Sequence, residues 1–145
     1  MRRSWIAIAI AAATLPAAAA DIGLMKVARG SVQVERDGKR TAAVVGTAIR
    51  PTDVIVTGAD GSAGITFADN SLVSIGPDSV FAIDKYSFDS TTYNGEFQGN
   101  LRQGKLAAIS GKMVKQSPES MRIRTPSAVM GVRGTEFVVE VDKAN

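Results

Sequence analysis

Met121–Val141 reads Met-Arg-Ile-Arg-Thr-Pro-Ser-Ala-Val-Met-Gly-Val-Arg-Gly-Thr-Glu-Phe-Val-Val-Glu-Val. Apolar and basic residues alternate over positions 121–124, which is the period of a strand with one buried face. Thr125-Pro126 interrupts the strand, because proline has no N–H to donate to a ladder. A second strand is predicted over positions 137–141, after a turn at Gly134. We expect these last strands to be structural and to complete a sheet begun by residues 24–34.

Upstream of this stretch the chain consists of short apolar runs separated by turn residues, with no helical period. Val32 and Val34 alternate with polar neighbours, and Asp37-Gly38 favours a tight hairpin because both positions tolerate positive φ. Val54–Thr57 is a β-branched run that indicates another strand. Turn signals recur at intervals of roughly ten residues, which is typical of an all-β sandwich, barrel or short solenoid.

The sequence therefore predicts one compact all-β domain over residues 21–145, either solenoid-like or sandwich-like, with short strands joined by Gly, Asp and Asn turns. Residues 101–109 are interpreted as a strand pair around Gln103-Gly104, and residues 112–120 as a basic, polar loop. No helix is expected outside the N-terminal segment.

Residues 1–20 have the features of a signal peptide. Arg2 and Arg3 form a basic start, an apolar run from Trp5 to Leu15 follows, and Ala18-Ala19-Ala20 fits a small-residue cleavage site. The apolar run is short for a membrane span. We expect cleavage after Ala20 and a periplasmic or secreted protein, with an uncleaved anchor as the alternative.

The composition excludes several classes of function. Two of the 17 basic residues leave with the signal peptide, so 15 remain against 14 acidic residues, and no basic stripe supports nucleic-acid binding. The chain has neither cysteine nor histidine. The commonest general base, the commonest zinc ligand and the usual activators of a nucleophile are therefore missing. No metal or other cofactor is expected.

An ordered series of motifs resembles the FecR domain, a bacterial periplasmic module. The matching elements are residues 30–34, 54–58, 61–71, 75–79, 104–106, Thr125-Pro126 and 132–137. The residues of the last stretch that carry the resemblance, and that we expect to be structural, are Thr125, Pro126, Val132, Arg133, Gly134, Thr135 and Phe137. Together these elements span nearly all of the chain after the signal peptide.

The resemblance implies an all-β fold and a place in the cell envelope. In well-known members the module follows a cytoplasmic anti-sigma domain and a transmembrane helix, and it receives a signal from an outer-membrane transporter. This sequence has a signal peptide instead of those parts, so we do not expect it to regulate a sigma factor. The favoured hypothesis is a non-catalytic binding or scaffold module whose partner is an unidentified envelope protein or polymer.

Gly134-Thr135 is a candidate site of self-processing, because some family regulators resemble proteins that cleave a Gly-Thr bond. A threonine hydroxyl can attack the preceding carbonyl in an N-to-O acyl shift if the backbone is strained. The alternative interpretation is that Gly134 forms a turn or bulge and Thr135 begins the last strand. The turn interpretation is preferred, since it accounts for every residue there.

Three other groups of residues are weaker candidates. The arginines Arg122, Arg124 and Arg133 form a possible partner surface, although a solvated outer strand face is the preferred explanation. The turn aspartates lack the spacing of a calcium loop and fit Asx turns better; they are Asp37, Asp53, Asp60, Asp69 and Asp78. The remaining group is aromatic and more typical of core packing than of a ligand surface; its members are Tyr86, Phe88, Tyr93 and Phe97.

Overall fold

The structure is a computed structural model that describes residue 13, residues 20–132 and residues 134–142. The predicted signal peptide, apart from positions 13 and 20, lies outside the described residues, as does Arg133. Within the described part, the elements are β1 (Gly23–Arg29), β2 (Val32–Arg36), β3 (Lys39–Ala42), β4 (Ala48–Ile49), β5 (Val54–Thr57), β6 (Ser62–Phe67), β7 (Leu72–Ile75), β8 (Val80–Phe88), β9 (Gly95–Ile109), α1 (Lys112–Gln116), β10 (Met121–Arg124), β11 (Val129–Gly131) and β12 (Glu136–Val141).

The strands form one continuous sheet that folds over on itself at β9. The C-terminal half of β9 pairs with β7 and β12, and the resulting first layer has the order β4-β1-β6-β7-β9-β12. The N-terminal half pairs with β8 and β10, and the second layer has the order β3-β2-β5-β8-β9-β10-β11. Among the described pairs only β9 with β10 is parallel. The all-β prediction is confirmed, and the arrangement is sandwich-like.

The predicted strand pair around Gln103-Gly104 is wrong, because β9 runs through both residues without reversing. Gly104 has a φ of +96°, and a Cβ at this position would overlap the Cα and side chain of Ser79. Glycine therefore allows β9 to pass from one layer to the other at a point of close backbone approach. A bend within one strand and a hairpin turn require the same residue type, so the sequence alone did not distinguish them.

The core lies between the two layers and is filled by alternating residues of both. Phe67 of the first layer stacks on Tyr86 of the second with ring centroids 5.4 Å apart, and it meets Phe97 edge-on at 4.8 Å. All three side chains are buried. Tyr86 and Phe97, two of the four candidate aromatics, therefore serve the core.

A single helical turn, α1, lies where the sequence analysis predicted a loop, and the expectation of no helix is wrong at this one place. A helix of five residues is not stable alone, so tertiary contacts must hold it. Met113 and Val114 are buried in the core, and the Lys112 amide donates to the Asp69 carbonyl at 2.8 Å. These contacts come from residues distant in sequence, which is why no local pattern indicated the helix.

The final strand is at an edge rather than beside the first strands. β12 pairs with β9 along its whole length, whereas β1 lies near the opposite edge of the same layer. β12 therefore lies at the edge of the same sheet that includes residues 24–34, as expected, although β6, β7 and β9 separate β1 from β12. Val139 of β12 is buried, so the strand still contributes to the core.

Candidate functional site

Gly134 and Thr135 form the turn that leads into β12. Gly134 has a φ of +93°, a backbone conformation that glycine adopts far more readily than other residues. Both residues are exposed, and no described atom lies within 4 Å of where a Gly134 Cβ would be. The requirement for glycine at this position is therefore conformational and not steric.

Ser110, the residue that follows β9, stabilises this turn from the end of the neighbouring strand. Its backbone N–H donates to the Thr135 carbonyl at 2.9 Å, and its hydroxyl donates to the Gly134 carbonyl oxygen at 2.7 Å. The Gly134 carbonyl is the group that a Thr135 hydroxyl would attack. Ser110 was missed by the sequence analysis, and no local signal could have found it, because the contact spans 24 residues.

The other residues of the family motif have structural positions where the structure describes them. The Thr125 amide donates to the Ala128 carbonyl at 2.8 Å, and the Ala128 amide donates to the Thr125 hydroxyl at 3.1 Å, so Thr125-Pro126 makes the tight turn between β10 and β11. Val132 is fully buried, and Phe137 packs against the core.

Arg122 and Arg124 lie on the outer face of the second layer, as their alternation with buried Met121 and Ile123 predicted. In the parallel register Arg122 lies beside Gln98 and Arg124 beside Asn100. We call these four residues (Arg122, Arg124, Gln98 and Asn100) the arginine face. Among the described residues neither arginine forms an ion pair, in contrast to Arg36, Arg40, Arg50 and Lys85.

A charged pair borders the arginine face. Lys85 approaches Glu96 at 2.8 Å, and this hydrogen bond is the main reason why the pKa of Glu96 is lowered. Gln98 also donates to Glu96, at 2.6 Å, and the positive charge of Arg122 adds a smaller effect in the same direction. Glu96 is therefore held ionised next to the arginine face.

The turn aspartates are not brought together. Within the residues that the structure describes, no group of three or more Asp or Glu side chains could hold a metal ion. Asp60 accepts the Ser31 amide at 3.2 Å, a contact that joins the β1–β2 turn to the β5–β6 turn across 29 residues of chain.

Two of these aspartates, Asp53 and Asp69, are buried, and each stabilises a loop through side-chain hydrogen bonds. Asp53 is fully buried and accepts both Nε and Nη2 of Arg36, at 2.9 and 2.7 Å. Asp53 also accepts the Arg50 amide at 2.9 Å, so its carboxylate is well satisfied. The carboxylate raises the pKa of Arg36 through this hydrogen bond. The ion pair stabilises the entry to β5 by joining it to Arg36 at the end of β2.

Asp69 forms the second buried network. It accepts the Ser71 hydroxyl at 2.6 Å and the Tyr86 hydroxyl at 3.2 Å. Burial, and next the negative charge of Asp69, raise the pKa of Tyr86 well above its usual range. A tyrosine held neutral in this way is a hydrogen-bond donor in the core and not a general base.

The two remaining aromatics lie at the tip of the β8–β9 hairpin. Phe88 and Tyr93 stack with centroids 6.2 Å apart, and the Lys112 ammonium lies 5.2 Å above the Tyr93 ring. Phe88 also packs against the core, and the contact of Tyr93 with Lys112 holds the hairpin tip against α1.

A concavity of about 510 Å³ lies beneath the β2–β3 hairpin. Its lining combines apolar, hydroxyl and charged side chains, with Arg36 already committed to Asp53. It is remote in the fold from Gly134-Thr135, which lies at the entry to β12.

Gly134-Thr135 thus forms an exposed turn before β12, and Arg122 and Arg124 lie on an exposed strand face of the same β-domain. The family model described as FecR protein matches residues 53–145, which is more than half of the chain. The chain belongs to the FecR family, a non-enzymatic family of envelope signalling proteins. No curated protein and no solved structure matches the sequence.

The matched region is continuous with the strands that precede it. β1 pairs with β6 and β2 pairs with β5, so residues 23–36 extend both layers of the family domain. In the part of the chain that the structure describes, no helix has the length and apolar character needed to cross a membrane.

Proposed function

We propose that this chain is an exported, non-catalytic FecR domain that binds a partner in the cell envelope through the arginine face. The observation that carries the proposal is the exposure of Arg122 and Arg124 without an ion pair among the described residues. Guanidinium groups next to the side-chain amides of Gln98 and Asn100 offer many hydrogen-bond donors on a flat strand surface. A partner with carboxylates or other anionic groups is complementary to such a surface.

Export is part of this proposal and rests on the sequence of residues 1–20. The form recovered from the envelope is expected to begin at Asp21. Mass spectrometry of that form tests the prediction directly, and a mass that still includes Met1 to Ala20 contradicts it.

Capture experiments with envelope extract test the binding function. The protein is expected to enrich a partner that the double variant Arg122→Gln/Arg124→Gln no longer retains. Lys39→Glu is the matched control, because it changes the net charge by the same amount on the exposed strand β3. Equal capture by the wild type and the arginine variant would show that the arginine face is not the binding surface.

A second candidate function is self-processing at Gly134-Thr135, and the Ser110 hydrogen bond favours it. Attack of the Thr135 hydroxyl on the Gly134 carbonyl carbon forms an ester, breaks the C–N bond and leaves a free amine on Thr135. Water then hydrolyses the ester. Negative charge develops on the Gly134 carbonyl oxygen during the attack, and the Ser110 hydroxyl, 2.7 Å away, already donates to that oxygen.

The intact mass of the purified protein separates the two functions. Self-processing gives one fragment that ends at Gly134 and one that begins at Thr135. Thr135→Ala is expected to abolish those fragments, whereas Thr135→Ser retains a hydroxyl and should permit cleavage. A single uncleaved mass after prolonged incubation excludes self-processing and leaves the binding function unaffected.

A further inference from the structure

The outer face of the first layer carries a group of exposed hydrophobic residues. Most of the exposed large hydrophobic residues in the described part of the chain lie on it, at 39% to 56% exposure. They are Leu24, Val27, Leu72, Ile109 and Val138. Monomeric proteins rarely leave a contiguous apolar patch of several hundred Å² uncovered.

Strand register arranges these residues in rows across the layer. The first row passes from β1 to β12 through Leu24, Thr66, Leu72, Ile109 and Glu136. The second row passes through Val27, Gly64, Ser74, Ala107 and Val138. The small residues at the centre of the second row make the face flat. We call these two rows the apolar face.

The size of the apolar face fits a protein interface. Five strands about 4.8 Å apart and adjacent rows about 7 Å apart give, with the bordering charged row, a footprint of roughly 500 Å². Two such faces packed together would bury roughly 1,000 Å² in total, which reaches the lower limit for a biological interface. The first layer of another copy, which has the same five strands, would cover the face completely.

Charged residues at the two edges of the apolar face indicate that its partner is a second copy of this chain. In the row next to the apolar face, Arg29 lies on β1 at one side, and Glu140, whose register partner is Lys105 of β9, lies on β12 at the other. Both are exposed, and neither forms an ion pair within the described residues. A twofold axis parallel to the strands places β1 of one copy over β12 of the other, so that each Arg29 meets a Glu140 of the second copy.

We propose that the protein forms a twofold dimer in which two copies pack their apolar faces together. In this arrangement Val27 of one copy lies over Val138 of the other, and Ser74 packs near its own copy at the axis. The arginine face belongs to the other layer and remains uncovered in both copies. The dimer is therefore independent of the proposed partner binding, and it would present two arginine faces on opposite sides.

Sedimentation equilibrium of the purified protein tests the dimer. We expect a dimer at micromolar concentration, and Leu72→Asp at the centre of the face should weaken it at least tenfold. Val129→Asp is the matched control, because Val129 is also exposed but lies in the second layer. Circular dichroism and a cooperative thermal transition show whether each variant is folded. If Leu72→Asp does not fold, Ser74→Arg is used in its place.

A monomeric wild type at 100 µM, or a dimer as sensitive to Val129→Asp as to Leu72→Asp, overturns the proposal. A charge swap then tests the twofold arrangement. Arg29→Glu and Glu140→Arg should each weaken the dimer, and the double variant should recover it because both pairs are restored with reversed sign. Weakening by both single changes without recovery in the double variant contradicts this orientation.

Discussion

Ser110 and Gly134 are joined by a 2.7 Å hydrogen bond from the serine hydroxyl to the glycine carbonyl oxygen. The bond connects the end of β9 to the turn that begins β12, and it polarises the carbonyl of the Gly-Thr peptide. The same contact therefore stabilises the turn and prepares it for attack. The effect of this hydrogen bond on stability and its effect on cleavage can be measured separately.

Ser110→Ala should lower the free energy of unfolding by about 1 kcal/mol, because one partly buried hydrogen bond is lost. Ser120→Ala is the control: the Ser120 hydroxyl is buried without a hydrogen-bond partner among the described residues, so its removal should be neutral or stabilising. If the protein cleaves itself, Ser110→Ala should also slow cleavage roughly 100-fold, as loss of one oxyanion donor does. Denaturant unfolding and a time course of intact mass check the two effects.

Arg36→Met should destabilise the protein by about 3 kcal/mol, because it leaves the buried Asp53 carboxylate without its charged partner. Arg40→Met removes the exposed ion pair with Glu35 and should cost less than about 1 kcal/mol. Chemical denaturation of both variants measures the difference. Equal effects would mean that the Arg36–Asp53 pair contributes no more than a surface contact.

Gly104→Ala should destabilise the domain by about 3 kcal/mol, since it combines an unfavourable positive φ with overlap against Ser79. Gly38→Ala isolates the first effect, because Gly38 has a φ of +74° with no atom near a Cβ, and it should cost roughly 1 kcal/mol. Thermal unfolding of the two variants tests whether the passage of β9 between layers depends on close packing at Gly104.

Alkaline pH should destabilise the protein through Tyr86. Its pKa is raised in the folded state, so folding favours the neutral phenol. The resulting stability is complete below the pKa of an unfolded tyrosine, about 10, and is lost as pH rises above that value. The melting temperature of the wild type should therefore fall more steeply above pH 10 than that of Tyr86→Phe. Tyr93→Phe, on an exposed hairpin tip, should follow the wild type.

Much of the fold could be predicted from residues that act locally. Asp37 and Gly38 have φ values of 53° and 74° and make the predicted β2–β3 hairpin, whose flanking residues Arg36 and Lys39 are paired. The alternation at Met121–Arg124 correctly separated buried from exposed side chains. Period and turn chemistry depend on neighbouring residues alone, so the sequence carries them directly.

The candidate site was only half predictable. Gly134 was identified because its residue type signals an unusual backbone conformation, and its φ of +93° agrees. Ser110 could not be identified, since its hydroxyl acquires meaning only where β9 ends beside the turn before β12. The hydrogen-bond partners of Asp53 and Asp69 could not be predicted for the same reason. An aspartate fits the sequence pattern of a turn whether it is buried or exposed.

The sequence by itself determined an all-β chain, its FecR motifs and most of its turns, because hydrophobic period and turn residues are local properties. Only the tertiary structure decided that β9 serves both layers, that α1 forms, and that most of the exposed large hydrophobic residues share one face. These features arise from contacts between residues far apart in the chain, such as Gly104 with Ser79 and Lys112 with Asp69. Long-range packing selects among alternatives that local preferences leave equal in energy.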